Sequence, residues 1–371
     1  MAAPSAWTHT GYAQRVVFGP GAVAQVPEVL RATGARRWLL VTTPGRLASP
    51  DGERVAGLVG RGLASTFAET RSHVPTTIVE SAVRQARRDG IDGVVSFGGG
   101  SCCDLGKAVC FFLEQESGTP GASYVDRPAV AHVAVPTTYS GAELTPFFGM
   151  TDEAARAKSG GGGPTIAPLA TVHDPELTVS TPARVSAETG LNALAHGVEV
   201  AYSPSRSAEA EAVGLACVAQ MADALPRVVA DPGDLAARTD ALAAAVLGGR
   251  SLQNATMGVH HGLAQLLGGR TGMAHGLANA IVLPGALAFN AEAVPAEIAR
   301  IGAALGDAAD PAGEARRLVA HLDLPTRLRD AGVEEEDLDA VARLSQGNMS
   351  VRANPRPVSE DDARALLQSI W

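Results

Sequence analysis

The distribution of apolar residues changes near residue 180, and this change restricts the possible folds more than any other feature of the sequence. Before it, amphipathic stretches alternate with short apolar runs, at residues 38–41, 65–67, 93–97 and 131–135. This alternation predicts a parallel β-sheet with helices on both faces. After Pro182 the pattern is Ala-rich and helical, with almost no strand signal. We therefore predict an α/β domain over residues 1–178 and an all-helical domain over residues 179–371.

The length, charge and cysteine content limit the classes of protein to which the chain can belong. A chain of 371 residues favours two domains and can bury a large core without disulfides. Its net charge of −9 argues against nucleic-acid and anionic-membrane partners. The sequence shows no signal peptide and no run of about 18 apolar residues, and its four Cys fit reduced thiols. We expect a cytoplasmic protein that acts on a small molecule.

A glycine turn between a predicted strand and a predicted helix is the first candidate binding site. The turn consists of Gly98, Gly99, Gly100 and Ser101, and Asp104 follows on the helix. Such a turn can cradle phosphates, because its backbone N–H groups point outward and the helix dipole favours anions. The spacing is neither GxGxxG nor the Walker pattern, so a tight turn without a ligand stays an alternative.

A hydroxyl-rich loop follows the fourth predicted strand and contains Thr137 and Thr138. It lies at the carboxyl end of a parallel strand, where open α/β sheets bind ligands. Further along, Lys158 falls in a stretch that we predict to be a loop, as are the glycine-rich residues 160–164. Lys158 is either a solvated side chain or a donor to a bound phosphate or ribose.

Three histidines and an amide have spacings that can bring them together on neighbouring helices. Asn192 and His196 are four residues apart and share one helix face, as do His261 and Gln265. His275 follows a glycine-rich break. Asn192, His196, His261 and His275 could bind a divalent metal of the type that prefers imidazole. Because Asn192 is neutral, the histidines could instead work without a metal, as hydrogen-bond donors or acid–base groups.

The order and spacing of these motifs resemble the iron-containing alcohol dehydrogenase family. The residues that carry the resemblance are Gly98–Ser101 with Asp104 and Lys107, residues 136–138, residues 174–175, Gly190 with Asn192, Ala193, His196 and Glu199, and finally His261 and His275. Within the family, residues 136–146, 192–199, 258–261 and 280–284 are most similar to maleylacetate reductases. That group tends to carry Asn where the metal-dependent members have Asp, and is thought to work without a bound metal.

This resemblance implies a dehydroquinate synthase-like architecture, with a dinucleotide-binding α/β domain, a helical domain and an active site in the cleft between them. NAD(P)H would lie across Gly98–Ser101 and Asp104, Thr137, Thr138 and Lys158. Thr42 and Thr43 stand where an acidic residue often selects NAD, so NADPH would not be repelled. The catalytic pocket would contain His196, His260, His261, Gln265 and His275, and an iron or zinc ion, if bound, would use Asn192, His196, His261 and His275. Family members are often dimers, which implies a homodimer.

Two departures from the family pattern bear on the chemistry. Gln265 replaces a further His that often relays a proton, and Gln cannot shuttle one. Residues 159–164 are uncharged where the maleylacetate reductases tend to be rich in Arg. If those basic residues help to hold a dicarboxylate, a substrate other than maleylacetate becomes an alternative.

The leading hypothesis is a reductase that passes a hydride from NAD(P)H to a carbonyl or enone compound. His260 or His261 would polarise the oxygen or supply the proton. The main alternative is a non-redox lyase, cyclase or isomerase of specialised metabolism, which the loss of the relay His and of the metal carboxylate motivates. A binding protein without catalytic activity is the third hypothesis.

Overall fold

A computed structural model describes Pro4, residues 6–116, Gly118, residues 128–154 and residues 157–371. The chain forms two compact units: Gly11–Thr181, and the described residues of Met1–Thr10 together with Pro182–Trp371. Thr10 joins the second unit, because its N–H donates to Asn254 Oδ1 at 2.6 Å and its carbonyl accepts from Asn254 Nδ2 at 3.0 Å. The domain limits predicted from the sequence, and the cleft between the domains, stay predictions.

The first unit is built on a parallel sheet. In the described part of the chain the strands are β1 Arg15–Phe18, β2 Trp38–Val41, β3 Leu63–Phe67, β4 Gly93–Gly98, β5 Ala131–Pro136, β6 Phe147–Asp152, β7 Ala157–Gly162 and β8 Ala170–His173. Six of them form one sheet in the order β1–β8–β5–β4–β2–β3, and every neighbouring pair is parallel. The predicted parallel sheet is therefore confirmed.

Helices cover both faces of this sheet, as predicted. They are α1 Val26–Thr33, α2 Pro44–Leu47, α3 Pro50–Val59, α4 Thr76–Arg88 and α5 Gly100–Glu116. Successive residues of a strand point to opposite faces, so β2 contributes to two cores. Trp38 and Leu40 pack with α1 and α3, whereas Leu39 and Val41 pack with α4 and α5.

The second unit is helical, which confirms the predicted fold of the C-terminal part. Its helices are α6 Ala183–Tyr202, α7 Ala208–Ala230, α8 Leu235–Leu252, α9 Val259–Thr271, α10 His275–Asn290, α11 Pro295–Leu305, α12 Pro311–His321, α13 Glu335–Ser345, α14 Met349–Arg352 and α15 Glu360–Ser369. The long helix α6 packs against α7, α8 and α10. It is buried along most of its length and carries Asn192 and His196.

Helix α7 is long and apolar enough to cross a membrane by length and composition alone. Within the helical unit it packs against α6 and α8, and Cys217, Val218 and Met221 are fully buried there. A core helix of a helical domain meets the same two criteria, so α7 is not evidence of a membrane span.

A glycine-rich hairpin corrects the loop predicted for Lys158 and residues 160–162, whereas residues 163 and 164 lie after the strand, as predicted. Strands β6 and β7 pair antiparallel, and Lys158 lies on β7 opposite Thr151. Gly160, Gly161 and Gly162 complete β7, and glycine is depleted from strands, so side-chain propensity does not predict this strand. The edge strand β1 and its neighbour β8, each of four residues, are two more strands that the sequence patterns do not predict.

Candidate active site

The predicted glycine turn lies at the carboxyl edge of the sheet, between β4 and α5. Gly98 ends β4 with a φ of +143°, a conformation that side chains disfavour. A Cβ on Gly99 would lie 3.1 Å from Thr138 Cγ2, and one on Gly100 would lie 2.8 Å from Ser140 Oγ. The turn therefore packs directly against the hydroxyl-rich loop after β5. The N-terminus of a 17-residue helix at this point suits an anionic ligand.

Buried hydroxyl groups mark the same sheet edge. Thr42 follows β2, and Thr137 and Thr138 follow β5; all three are buried. Within the described residues, none of their Oγ1 atoms has a hydrogen-bond partner. Buried polar atoms are normally paired, so these three hydroxyls indicate where a polar ligand would bind. Sequence analysis selected Thr137 and Thr138, and noted Thr42 only for the missing acidic residue.

Asp104 connects the helix after the glycine turn to the β6–β7 hairpin. Its carboxylate lies 3.0 Å from Lys107 Nζ and accepts the Gly149 N–H at 3.4 Å. Lys107 is fully buried and also donates to Ala142 O, Thr145 Oγ1 and Phe147 O at 2.8, 3.0 and 2.5 Å. Lys158, on the hairpin, is exposed. Asp104 is thus held by protein groups, whereas Lys158 is accessible to a ligand.

The predicted histidines come together in the helical unit. His196 is on α6, His260 and His261 begin α9, and His275 begins α10. The His261 ring lies at the centre: its centroid is 4.8 Å from His196, 4.8 Å from His260 and 6.1 Å from His275. Gln265, one turn after His261, is half-buried. Burial, with a smaller effect of His261, lowers the pKa of His196 well below its usual value, so His196 is neutral at neutral pH.

Glu199 is the functional residue that the sequence hypotheses missed. It lies on α6 three residues after His196 and is fully buried. Its Oε1 accepts the N–H groups of Gly258 and His260 at 2.9 and 3.0 Å, while Oε2 accepts the His261 N–H at 3.2 Å and Nδ1–H at 2.6 Å. Burial raises the pKa of this carboxyl, but the neighbouring His260 and His261 outweigh it, so the pKa is lowered. The sequence feature that could have indicated Glu199 is a Glu on the apolar face of a predicted helix, next to a candidate His.

Both ring nitrogens of His260 face protein atoms. Nε2 lies 2.8 Å from the carbonyl oxygen of Asn279, which can only accept, so Nε2 carries the proton. Nδ1 lies 3.1 Å from Nδ1 of His261, and the His260 side chain is fully buried. This arrangement makes His260 a support for His261 rather than a group that can meet a ligand.

The histidine cluster can be tested for its fit to a divalent metal. Glu199, His260 and His261 offer atoms within 4.8 Å of one another, but these atoms are already engaged with each other and with backbone N–H groups. In the predicted set, His196, His261 and His275 offer imidazole nitrogens of the kind that iron and zinc accept. The fourth member, Asn192, brings no charge, and its Oδ1 accepts the Asn279 amide N–H at 2.7 Å. This set suits weak metal binding.

Two family models match the chain, one for each half. The model described as iron-containing alcohol dehydrogenase matches residues 13–175. The model described as Fe-containing alcohol dehydrogenase family, C-terminal, matches residues 186–371. Together they span the sheet, the glycine turn and the histidine cluster.

Individual relatives match over nearly the full length. The chain is 36% identical to a maleylacetate reductase of Burkholderia cepacia over 357 residues, which are 96% of this chain and 95% of that protein. It is 36% identical to a maleylacetate reductase of Rhizobium sp. (strain MTP-10005) over 365 residues, 98% and 97% of the two chains. The crystal structure of maleylacetate reductase from Agrobacterium tumefaciens matches with a TM-score of 0.87 and 34% identity, over 99% of this chain and 98% of that one.

Proposed function

The chain belongs to the iron-containing alcohol dehydrogenase family, and from that premise we propose that its substrate is a small carbonyl or enone compound, which it reduces with NAD(P)H. The chain is an oxidoreductase, an NAD(P)H-dependent reductase. Two of its relatives are named maleylacetate reductases, so maleylacetate is the first substrate to test. The non-redox lyase, cyclase or isomerase hypothesis is not favoured, because the relatives are reductases.

We assign the nucleotide to the edge of the sheet formed by the glycine turn and the buried threonines. Backbone N–H groups at the start of α5 would hold the pyrophosphate, as helix N-termini do. Thr137 and Thr138 have hydroxyls that a ligand can satisfy, and Lys158 is an accessible cation on the neighbouring hairpin. Because Thr42 and Thr43 are neutral, the site would accept the 2′-phosphate of NADPH as well as the 2′-hydroxyl of NADH.

We assign the proton transfer to His261. The hydride leaves NAD(P)H and joins the electrophilic carbon of the substrate, and the nucleotide is oxidised to NAD(P)⁺. Nε2 of His261 takes up a proton from water, and the imidazolium so formed passes this proton to the substrate and returns to the neutral ring. His260 is buried with both nitrogens engaged, and Gln265 cannot relay a proton, so His261 is the better donor.

We propose that this reaction depends weakly, or not at all, on a metal. Asn192, His196, His261 and His275 would hold an iron or zinc ion. When bound, such an ion would polarise the substrate oxygen as a Lewis acid. The neutral side chain of Asn192 removes the charge attraction that a carboxylate would give the cation. His196 and His275 then serve to surround and orient the substrate next to His261.

The observation that carries this proposal is the clustering of His196 and His275 around a His261 ring whose Nδ1 bonds to Glu199. The test is titration of the purified protein with NADH and NADPH by fluorescence, followed by NAD(P)H oxidation assays with maleylacetate and simpler 2-enoate and keto acids. We expect binding of a reduced nucleotide and one NAD(P)H consumed per substrate reduced. Failure to bind either nucleotide, or turnover of substrate without nucleotide, would sink the proposal.

We also propose that the protein is a cytoplasmic homodimer, by analogy with its family. Multi-angle light scattering should give twice the 37.8 kDa chain mass. A monomer mass at micromolar concentration would contradict this.

A further inference from the structure

The hydrogen bonds of Glu199 go beyond those that cap a helix. Helix α9 has no side-chain cap of its own, and Glu199, from α6, accepts the backbone N–H groups of Gly258, His260 and His261. These three backbone hydrogen bonds are enough to cap the N-terminus of α9. The shortest bond, 2.6 Å, instead joins Oε2 to the ring nitrogen Nδ1 of His261. This fourth bond does nothing for α9 and acts only on the orientation and protonation of the imidazole.

Two neighbours of His261 Nδ1, Glu199 Oε2 and His260 Nδ1, are acceptors, which determines its tautomer. Both carboxylate oxygens of Glu199 already accept backbone N–H groups, so Oε2 acts as an acceptor toward the ring as well. His260 carries its proton on Nε2, which donates to Asn279 O, so its Nδ1, 3.1 Å from His261 Nδ1, is also an acceptor. Nδ1 of His261 must therefore bear the proton. A neutral imidazole has only one such proton, so Nε2 is left as the acceptor nitrogen.

We propose that Glu199 is a positioning residue for the reductase, which fixes the His261 ring with Nδ1 protonated and Nε2 presented to the substrate. This inference rests on the proposed function. After Nε2 has given its proton to the substrate, the remaining neutral ring is the tautomer that Glu199 stabilises. The same tautomer offers Nε2 to a metal, so the role of Glu199 is the same with or without one.

The first test measures the tautomer in the wild-type protein by ¹⁵N NMR of histidine-labelled samples. The His261 signals are assigned by their loss in His261→Gln. We expect a neutral ring with the proton on Nδ1, at neutral pH and without substrate. A proton on Nε2 would overturn the inference. Because this measurement needs no turnover, it gives an answer even if the proposed reductase activity fails.

The second test replaces the carboxylate with an amide in Glu199→Gln. The amide oxygen can still accept N–H groups of α9, but its NH₂ group would face His261 Nδ1 and drive the ring proton to Nε2. We expect kcat to fall about 10–100-fold with little change in KM, as for other residues that orient a catalytic His. An unchanged kcat in folded Glu199→Gln would overturn the inference. If this variant does not fold, the ¹⁵N NMR measurement of the wild-type tautomer alone tests the inference.

Tyr202→Phe is the matched control. The Tyr202 hydroxyl donates to Oε1 of the same carboxylate at 3.3 Å and makes no bond to Oε2. Removing it perturbs the buried carboxylate but leaves the Oε2–His261 bond. We expect Tyr202→Phe to keep the wild-type tautomer and kcat. An equal loss of kcat in both variants would mean that Glu199 acts only through the stability of the pocket, and would overturn the inference.

Discussion

Asn192 is the residue through which we expect metal binding by the predicted histidine set to be controlled. Its amide is one turn before His196 and offers a single neutral oxygen, which also accepts a hydrogen bond from Asn279. Asn192→Asp adds a negative charge next to three imidazoles, so Zn²⁺ binding should strengthen by about 10–100-fold. Calorimetric zinc titration of the variant and wild type in parallel measures this. Equal affinities would show that the imidazoles do not converge on a cation.

Arg46 is the residue expected to set the preference between the two nucleotides. It lies on α2, just after Thr42 and Thr43, and donates to Ser180 Oγ and Thr181 Oγ1, both at 2.6 Å. Both of its hydrogen-bond partners are neutral hydroxyls, although the Asp51 carboxylate also acts on the guanidinium through space. A cation held in this way at the proposed nucleotide edge suits the 2′-phosphate of NADPH.

Arg46→Gln should therefore lower kcat/KM for NADPH by about 10-fold, the effect of losing one hydrogen bond to a charged group. The value for NADH should change little, which serves as the internal control. Steady-state kinetics with both nucleotides measure the ratio. If both values fall together, Arg46 holds the loop at Thr181 and does not select the nucleotide.

Single residues of the site were predictable where they share a helix face or follow a strand. His196, His261 and His275 come together as the spacing predicts. Glu199 belongs to the motifs that carry the family resemblance, but no role was predicted for it, because that role depends on the approach of α9 to α6, which brings the N–H groups of Gly258 and His260 to its carboxylate. A contact between helices far apart in sequence leaves no local pattern.

At the scale of elements, the predictable strands are those with continuous burial. β2 and β5 are apolar, buried on both faces, and bounded by turn residues, so they are visible in the sequence. β7 is not visible, because its glycines pack against β6 and have no side-chain preference of their own. β1 and β8 lack a continuous apolar run, because β1 is partly exposed at the edge of the sheet and β8 contains Thr171 and His173.

The β6–β7 hairpin depends on one buried cation. Lys107 on α5 joins Asp104 to Ala142, Thr145 and Phe147 at the start of β6. Lys107→Met removes the buried charge that is paired with Asp104 and three further hydrogen bonds, so the free energy of unfolding should fall by about 3 kcal/mol. Urea denaturation measures the loss. Lys158→Met on the exposed face of the hairpin is the control and should change stability by less than about 0.5 kcal/mol. Equal losses in both variants would contradict this role.

At the scale of the whole molecule, His132 makes stability sensitive to acid. It is buried on β5, with Nε2 2.8 Å from Ser96 Oγ, and burial, with a smaller effect of Lys107, lowers its pKa from 6.5 to about 3. Between these values the unfolded chain binds a proton that the folded chain cannot. Stability is therefore complete above pH 6.5 and falls by up to about 1.4 kcal/mol per pH unit as the pH drops toward 3.

Urea unfolding at several values between pH 7 and pH 5 tests this dependence. His132→Gln should flatten the slope of unfolding free energy against pH, whatever its effect on stability at pH 7. His321→Gln, at an exposed position, should keep the wild-type slope. An unchanged slope in His132→Gln would assign the acid sensitivity to other groups.

The pairing of Thr10 with Asn254 implies a delay between the synthesis of Thr10 and its docking onto the second unit. During synthesis the first ten residues emerge long before their partner, which follows 244 residues later. At ribosomal speeds of 5–20 residues per second this delay is roughly 10–50 s. The whole of Gly11–Thr181 is made in that interval. Its parallel sheet can therefore assemble before Thr10 has its partner Asn254. Thr10 can therefore pair with Asn254 only after the ribosome has passed α8, when the first unit has already been made.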